Sequence, residues 1–467
     1  MLGIWGLPLL LFLWTAAWLG LIMPSVAAQS RGSVISPADT VSLRNALADI
    51  DAGRPEQAES TLRRLADRYP NDDRVNEALG LIYAETGEVN KAVPYLQRAC
   101  SSAPQSAVNH ANLGTAWLRL GQARDAAVEL KMATRLAPRN ADAFSKLGQA
   151  YMLLHDPAEA ARVFSQAVAL DPHNSDLLYN FAVALTENGE TQRVSQVLDR
   201  IPQGEMSDQA ESLAGEVEEK LGNYMAAVRH DQSAASKNPS ETNLYALCVE
   251  FLRHWTWHEA RQTAEYGIAR YPDSQRMKLA LGVALFGAKS FPEAAKVFAG
   301  LLRTDTNNSM YADILGRTCG EISGGNADCG AIEEFAKKHP ENASAAYYAA
   351  RQILQRPHST ADLSEARTLL QRATAARPPI AEAWYEMGVL DAETTHWQDS
   401  AEALKEAIAL RPSFTAAHYQ LSIAYAHLNR PADRRRELAL FQTYSSHEKD
   451  EVNARVQQMT IFLTKPQ

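Results

Sequence analysis

The sequence predicts an all-α protein, a right-handed α-solenoid of stacked helix–turn–helix units with a C-terminal capping helix. Three observations carry that prediction. Residue classes recur at a fixed interval, each recurrence splits into two short amphipathic stretches, and alternating polar and apolar runs, the mark of half-buried strands, are lacking. The interval is 34 residues for Gly80, Gly114 and Gly148. Ala92, Ala126 and Ala160 keep it, as do Ala99, Ala133 and Ala167, and Pro70, Pro104, Pro138 and Pro172. Leu79, Leu113 and Leu147 precede the glycines, and Tyr83, Trp117 and Tyr151 follow them.

Ahead of the array, residues 1–28 carry no charged side chain and have an apolar centre, Leu9 to Trp14. Pro24 ends the run, and Ser25-Val26-Ala27-Ala28 offers small residues to a signal peptidase. The segment is expected to be a signal peptide or, if uncleaved, a membrane anchor, because about 20 apolar residues span a bilayer. Both outcomes place the remainder outside the cytoplasm, periplasmic or secreted, or tethered to a membrane through residues 1–28.

Residues 39–305 contain eight units. In each, positions such as Leu79, Gly80 and Tyr83 lie at helical spacing, and Ala92, Leu96 and Ala99 do so after a short break. Glycine or alanine puts no bulk where two helices cross, so their axes approach closely. Thr86-Gly87-Glu88 and Asn188-Gly189-Glu190 supply the left-handed turn. Pro55, Pro157, Pro292 and Pro431 fall at the start of second helices, where a missing N–H costs nothing, and Pro94 is expected in a first turn. Cys248 stands in a glycine slot and is expected to be a buried free thiol. Residues 306–341 are irregular: Gly320 to Asp328 replaces the normal turn and marks a candidate hinge. Residues 342–447 restore the pattern through Gly388, Leu404, Ala407 and Pro412, after a lengthening at Arg356 to Thr360. Residues 448–463 are the expected cap, with Val452, Val456, Met459 and Phe462 on one side.

These residues resemble the tetratricopeptide repeat. Its pattern is almost complete in Phe144, Leu147-Gly148, Tyr151, Ala160, Phe164, Ala167 and Pro172. Eleven or twelve units fit between Asp39 and Gln442. The resemblance implies a concave groove, lined by the first helix of each unit, that takes an extended peptide or a partner helix. Exposed groove candidates are Asn112, Ser145, Lys146, Gln149, Tyr179 and Asn180. Amides there would hydrogen-bond a peptide backbone, and Lys146 would meet a carboxylate. The family's carboxylate clamp occurs only in fragments, and its asparagine ladder is interrupted by Ala78, Lys146, Leu213 and Ala246.

Other functions find little support. A net charge of -9 argues against nucleic acid, and Arg434-Arg435-Arg436 reads as a solvated helix face. Phosphate loops, nucleophile elbows and zinc-protease motifs are not found, and the repeats leave no segment for a catalytic domain. No catalytic residue, cofactor or metal is expected. His254 and His258 straddle a helix–turn junction and do not share a face. Trp257 occupies the slot of Tyr224 and Phe291. Cys319 and Cys329 are either a disulfide or two separate buried thiols. Asn307 and Asn342 fit the glycosylation pattern. The expected function is a non-catalytic scaffold for protein partners, in cell-envelope or export assembly; the alternative is a membrane-tethered component of polysaccharide synthesis or secretion.

Overall fold

A computed structural model of the chain describes residues 35–323 and 326–445. The expected leader, residues 1–28, and the expected cap, residues 448–463, lie outside the described residues. Among the described residues the chain is helical throughout, with 24 α-helices, one 3-10 turn and no strand. The helices form twelve successive pairs, and none is long and apolar enough to cross a membrane. The fold is an α-solenoid. It divides into two compact units, one ending at Leu170 and the other beginning at Asp171.

The pairing has a simple steric origin. A Cβ placed on Gly80 would come within 2.6 Å of Leu96 Cγ, and one on Gly114 within 2.6 Å of Leu130 Cγ. On Gly148 it would lie 2.7 Å from the Phe164 ring. Each glycine therefore lets a large side chain of the second helix lie flat across the first. In the second unit Gly388 and Leu404 repeat the arrangement, with 2.6 Å between the added Cβ and Leu404 Cγ. The first unit's core, including Leu62, Leu65, Leu79, Ile82, Tyr83 and Leu96, grows around these crossings.

Local signals agree with the pairs. Most first helices are capped by a polar side chain, Ala381–Glu393 and Thr415–His427 excepted: Asn140 Oδ1 accepts from the Ala143 N–H at 3.1 Å, Ser106 Oγ from Asn109, and Asn174 Oδ1 from Leu177. Pro55, Pro157 and Pro431 open second helices, and Pro292 is second in its helix. Pro94 departs from expectation. It is the sixth residue of the helix Val89–Ser102, beyond the first turn. Its ring leaves the Asn90 carbonyl without a helical donor, and Asn90 is exposed to water, which limits the cost.

Most turns between paired helices carry one residue at positive φ. Gly87 supplies it at 84°, yet His155 and Trp255 hold the same register position at 56° and 60°. A side chain in that conformation costs about 1–2 kcal/mol, so packing of the flanking helices outweighs local preference there.

Within residues 306–341 the helix Ser309–Gly320 is followed by the 3-10 turn Ala327–Cys329 and the short helix Gly330–Lys338. Cys319 and Cys329 form a disulfide with 5.9 Å between their Cα atoms, and both are buried. Cys248 is a free, fully buried thiol donating to the Ala260 carbonyl at 3.3 Å.

Candidate functional site

In the first unit, the groove candidates are largely engaged with their own neighbours. Asn112 Nδ2 donates to Glu77 Oε1 at 3.0 Å, linking two successive first helices. Lys146 Nζ pairs with Asp142 Oδ2 at 2.7 Å, one turn earlier on its own helix. Gln149 is exposed. Ser145 corrects the expectation, because it is buried, with 7% exposure. It precedes the crossing Gly148 by three residues, within about 60° of it around the helix axis, and its short side chain does not reach solvent from there. In the second unit, Tyr179 and Asn180 are half-buried. Burial, and the nearby Asp208 charge, push the Tyr179 phenol above its ordinary range.

A polar and aromatic surface lies elsewhere in the second unit, on the first helices Ser309–Gly320, Ala343–Gln355 and Ala381–Glu393. Two glycines of the first of these make room for the next. Gly316 has the Tyr348 ring where a Cβ would stand, and a Cβ on Gly320 would lie 2.5 Å from Arg351 Nη1. Arg351 Nη2 donates to the Gly320 carbonyl at 3.0 Å, and its Nε lies 3.6 Å from Glu386 Oε1. Arg317 Nε donates to Asp313 Oδ2 at 2.9 Å. Tyr347 and Tyr348 have ring centroids 4.9 Å apart, and Tyr385 lies 4.9 Å from Phe414.

The electrostatics describe a wall that is crowded but wet. The side chains of Arg351 and Glu386 keep 29% and 15% exposure. Burial raises the Glu386 carboxyl, with Arg351 opposing, and raises both Tyr347 and Tyr348 phenols. Burial also works against the charges of Arg317 and Arg351. Tyr348 and Asp313 around the first, and Tyr347 and Glu386 around the second, hold them above the ordinary arginine range. Two guanidiniums set among phenol rings suit recognition of carboxylate and aromatic groups on a polypeptide, by forked hydrogen bonds and stacking. None of these residues was a groove candidate. The signal was the dipeptide Tyr347-Tyr348 followed by Arg351, one helical turn further on.

Among the described residues two clusters have metal-ligand chemistry, Cys100 with His110 and Glu129, and Glu219 with Glu250 and His254. The first has a structural explanation. His110 Nδ1 lies 2.6 Å from Glu129 Oε2 and its Nε2 3.1 Å from the Pro104 carbonyl, which engages both ring nitrogens. His418 repeats the arrangement with Glu437 at 2.7 Å and the Pro412 carbonyl at 2.9 Å. Burial pushes the Cys100 thiol up to about 12, so it carries no thiolate at neutral pH. His254 caps the helix Glu241–Arg253 whereas His258 is exposed in the first turn of Trp257–Arg270.

A tetratricopeptide-repeat family model matches residues 43–107, 112–175, 249–309 and 385–440, and a second tetratricopeptide-repeat model matches residues 151–214. Among solved structures, the chain is similar to PilF of Pseudomonas aeruginosa, at 20% identity over 44% of this chain and 94% of that one, with a TM-score of 0.39. It is similar to YrrB, described as a TPR protein with an unusual peptide-binding site, at 18% identity over 40% and 95%, with a TM-score of 0.36. A complex of Naa15/Naa10 bound to HypK-THB is similar at 12% identity over 90% of this chain and 66% of that one, with a TM-score of 0.37. No curated protein sequence matches the chain. With repeat models covering more than half of its length, on glycine crossings that the structure shows in place, the chain belongs to the tetratricopeptide-repeat family.

Proposed function

We propose that the protein is a non-catalytic scaffold that binds a polypeptide partner outside the cytoplasm, in cell-envelope or export assembly. The observation that carries the binding role is the wall formed by Arg317, Tyr347, Tyr348, Arg351 and Glu386. Charged and aromatic side chains are held there in fixed positions, with Tyr347 buried beneath and Arg317, Tyr348 and Arg351 partly open to solvent. A segment bearing carboxylate and aromatic side chains suits that wall, because burying such groups against pre-positioned arginines and tyrosines costs little ordering entropy. Two features support location outside the cytoplasm: the apolar, uncharged stretch of residues 1–28, and the Cys319–Cys329 disulfide, a bond that persists in oxidising compartments.

Crosslinking with mass spectrometry on native protein tests the binding role. Partner crosslinks should concentrate on residues 309–393 and disappear in an Arg317→Ala/Arg351→Ala double variant that keeps its helical circular dichroism. Undiminished capture by that variant would remove the basis of the proposal. The alternative, a membrane-tethered component of polysaccharide synthesis or secretion, draws on the same apolar stretch, since retained residues 1–28 would act as an anchor. Intact mass of the native protein separates the two: loss of the stretch supports the released scaffold, and its retention supports the tethered form.

A further inference from the structure

We infer that Glu219, Glu250 and His254 form a binding site for a divalent transition-metal ion of the zinc type, bridging two successive first helices of the second unit. Glu219 lies near the end of the helix Asp208–Lys220, Glu250 lies in the helix Glu241–Arg253, and His254 caps that second helix. The Nε2 atom of His254 is 3.1 Å from Glu219 Oε2 and 3.2 Å from Glu250 Oε1, and one ligand atom from each residue lies within 4.8 Å of the others. Four ligands at ~2.0 Å around a tetrahedral ion stand about 3.3 Å apart, so the two measured edges already match.

A cluster of acids does not by itself make a site. The independent observation is Glu250. It is 2% exposed, and its Oε1, in ion-pair contact at 3.2 Å with a His254 nitrogen that is hydrogen-bonded to Glu219, has no hydrogen bond of its own. Its other oxygen lies 3.5 Å from Arg253 Nη1, which leaves Oε1 directed at the cluster. A buried carboxylate oxygen without a donor is costly, and a cation would satisfy it. Two carboxylates and a neutral imidazole balance a dication. The imidazole favours zinc-type ions over magnesium, which prefers all-oxygen shells. The Tyr224 ring lies 4.3 Å from the His254 ring and limits its rotation. Three protein ligands leave one coordination position for water or a group brought by a partner. Sequence spacing concealed the set, because its members come from two helices and no His-x-x-x-His pair is involved.

Isothermal titration of the chelator-treated full chain with zinc chloride tests the site. The expected result is one zinc per chain, weakened at least about tenfold by Glu250→Gln and by His254→Ala, with His258→Ala unchanged and magnesium unable to compete. If Glu250→Gln does not fold, as judged by circular dichroism, His254→Ala decides, since its ring is 26% exposed at a helix end. Wild-type protein that takes up no zinc would overturn the inference. So would zinc binding that survives His254→Ala or is lost only in His110→Ala.

Discussion

The first unit and residues 309–393 of the second use the same device for different ends. In the first unit Gly80, Gly114 and Gly148 each face the second helix of their own pair, where Leu96, Leu130 and Phe164 close the gap. At Gly316 and Gly320 the missing Cβ makes room for Tyr348 and Arg351, which belong to the following pair. Absence of a side chain stabilises a pair in one region and shapes a wall in the other. The polar residues differ in the same sense. Asn112 and Lys146 each pair with one carboxylate, Glu77 and Asp142, whereas Arg351, about as exposed as Lys146, sits between the Gly320 carbonyl and Glu386 beside tyrosines. A repeat that looks uniform along the chain is thus not uniform in what it presents.

The largest expected effect breaks a crossing. Phe164→Ala empties the space over Gly148, and Phe298→Ala empties the one over Gly282, where the ring is also fully buried. Each should destabilise the chain by about 3–5 kcal/mol, through lost burial and the cavity left behind. Urea unfolding followed by circular dichroism measures the loss. Hydrogen exchange should localise it to the unit carrying the substitution, because repeats interact chiefly with their neighbours. Equal loss of protection in both units would contradict a division at Leu170.

Removing the disulfide should have the next largest effect. Cys319→Ser, or reduction, opens a loop of ten residues by sequence separation and should cost about 2–3 kcal/mol on chain-entropy grounds. The regular pairs of the first unit have no such clip, so reductant should lower the unfolding temperature of the second unit alone. A smaller response in crosslinking at residues 309–393 after reduction would further show that the clip positions the arginine and tyrosine wall.

A third prediction concerns a core position filled by a charge. Asp231 occupies the slot of Leu96, Leu130 and Leu404, opposite Gly215, and is 7% exposed. Burial, reinforced by Glu250, Glu219 and Glu216 and opposed by Arg253, pushes its carboxyl from 3.8 to about 7. The folded state therefore holds a proton that the unfolded chain has already released. The resulting contribution is complete below about pH 4 and is lost as pH rises toward about 7. Asp231→Leu should stabilise metal-free protein by about 1–2 kcal/mol at pH 8, with the gain shrinking by pH 5. A gain independent of pH would mean that volume alone matters at this position.

Much of the fold was legible from the sequence. Period, crossing glycines and prolines indicated eleven or twelve pairs, and the described residues form twelve. Those signals work because each is local and is repeated by the same steric cause. Some turns were not legible, since His155 and Trp255 take the place of glycine where packing outweighs preference. The wall was missed for a related reason. Ala350 replaces the glycine that marks the register there, and counted from it Tyr347, Tyr348 and Arg351 stand where Ser145, Lys146 and Gln149 stand relative to Gly148; the register was the same and the missing glycine hid it. Ser145 was misplaced because identity and spacing say that a residue is polar, and not how far its side chain reaches.

The smallest expected effect is also the one that sharpens the comparison most. Lys146 appeared from sequence to be the cation of the groove, yet its ammonium is bound to Asp142 on the same helix. Such an i,i+4 pair contributes about 0.3–0.5 kcal/mol and weakens with salt. Lys146→Ala should therefore lower stability by no more than that and leave partner capture unchanged. Arg351→Ala should cost more stability, about 1–3 kcal/mol, because it leaves the recessed Glu386 carboxylate without its partner. It should also reduce capture severalfold, because its guanidinium is held by the Gly320 carbonyl in a position that still meets solvent. Measured side by side, the two substitutions separate a charge paired within its own helix from one held between successive first helices. Equal effects on capture would mean that the wall is structural after all.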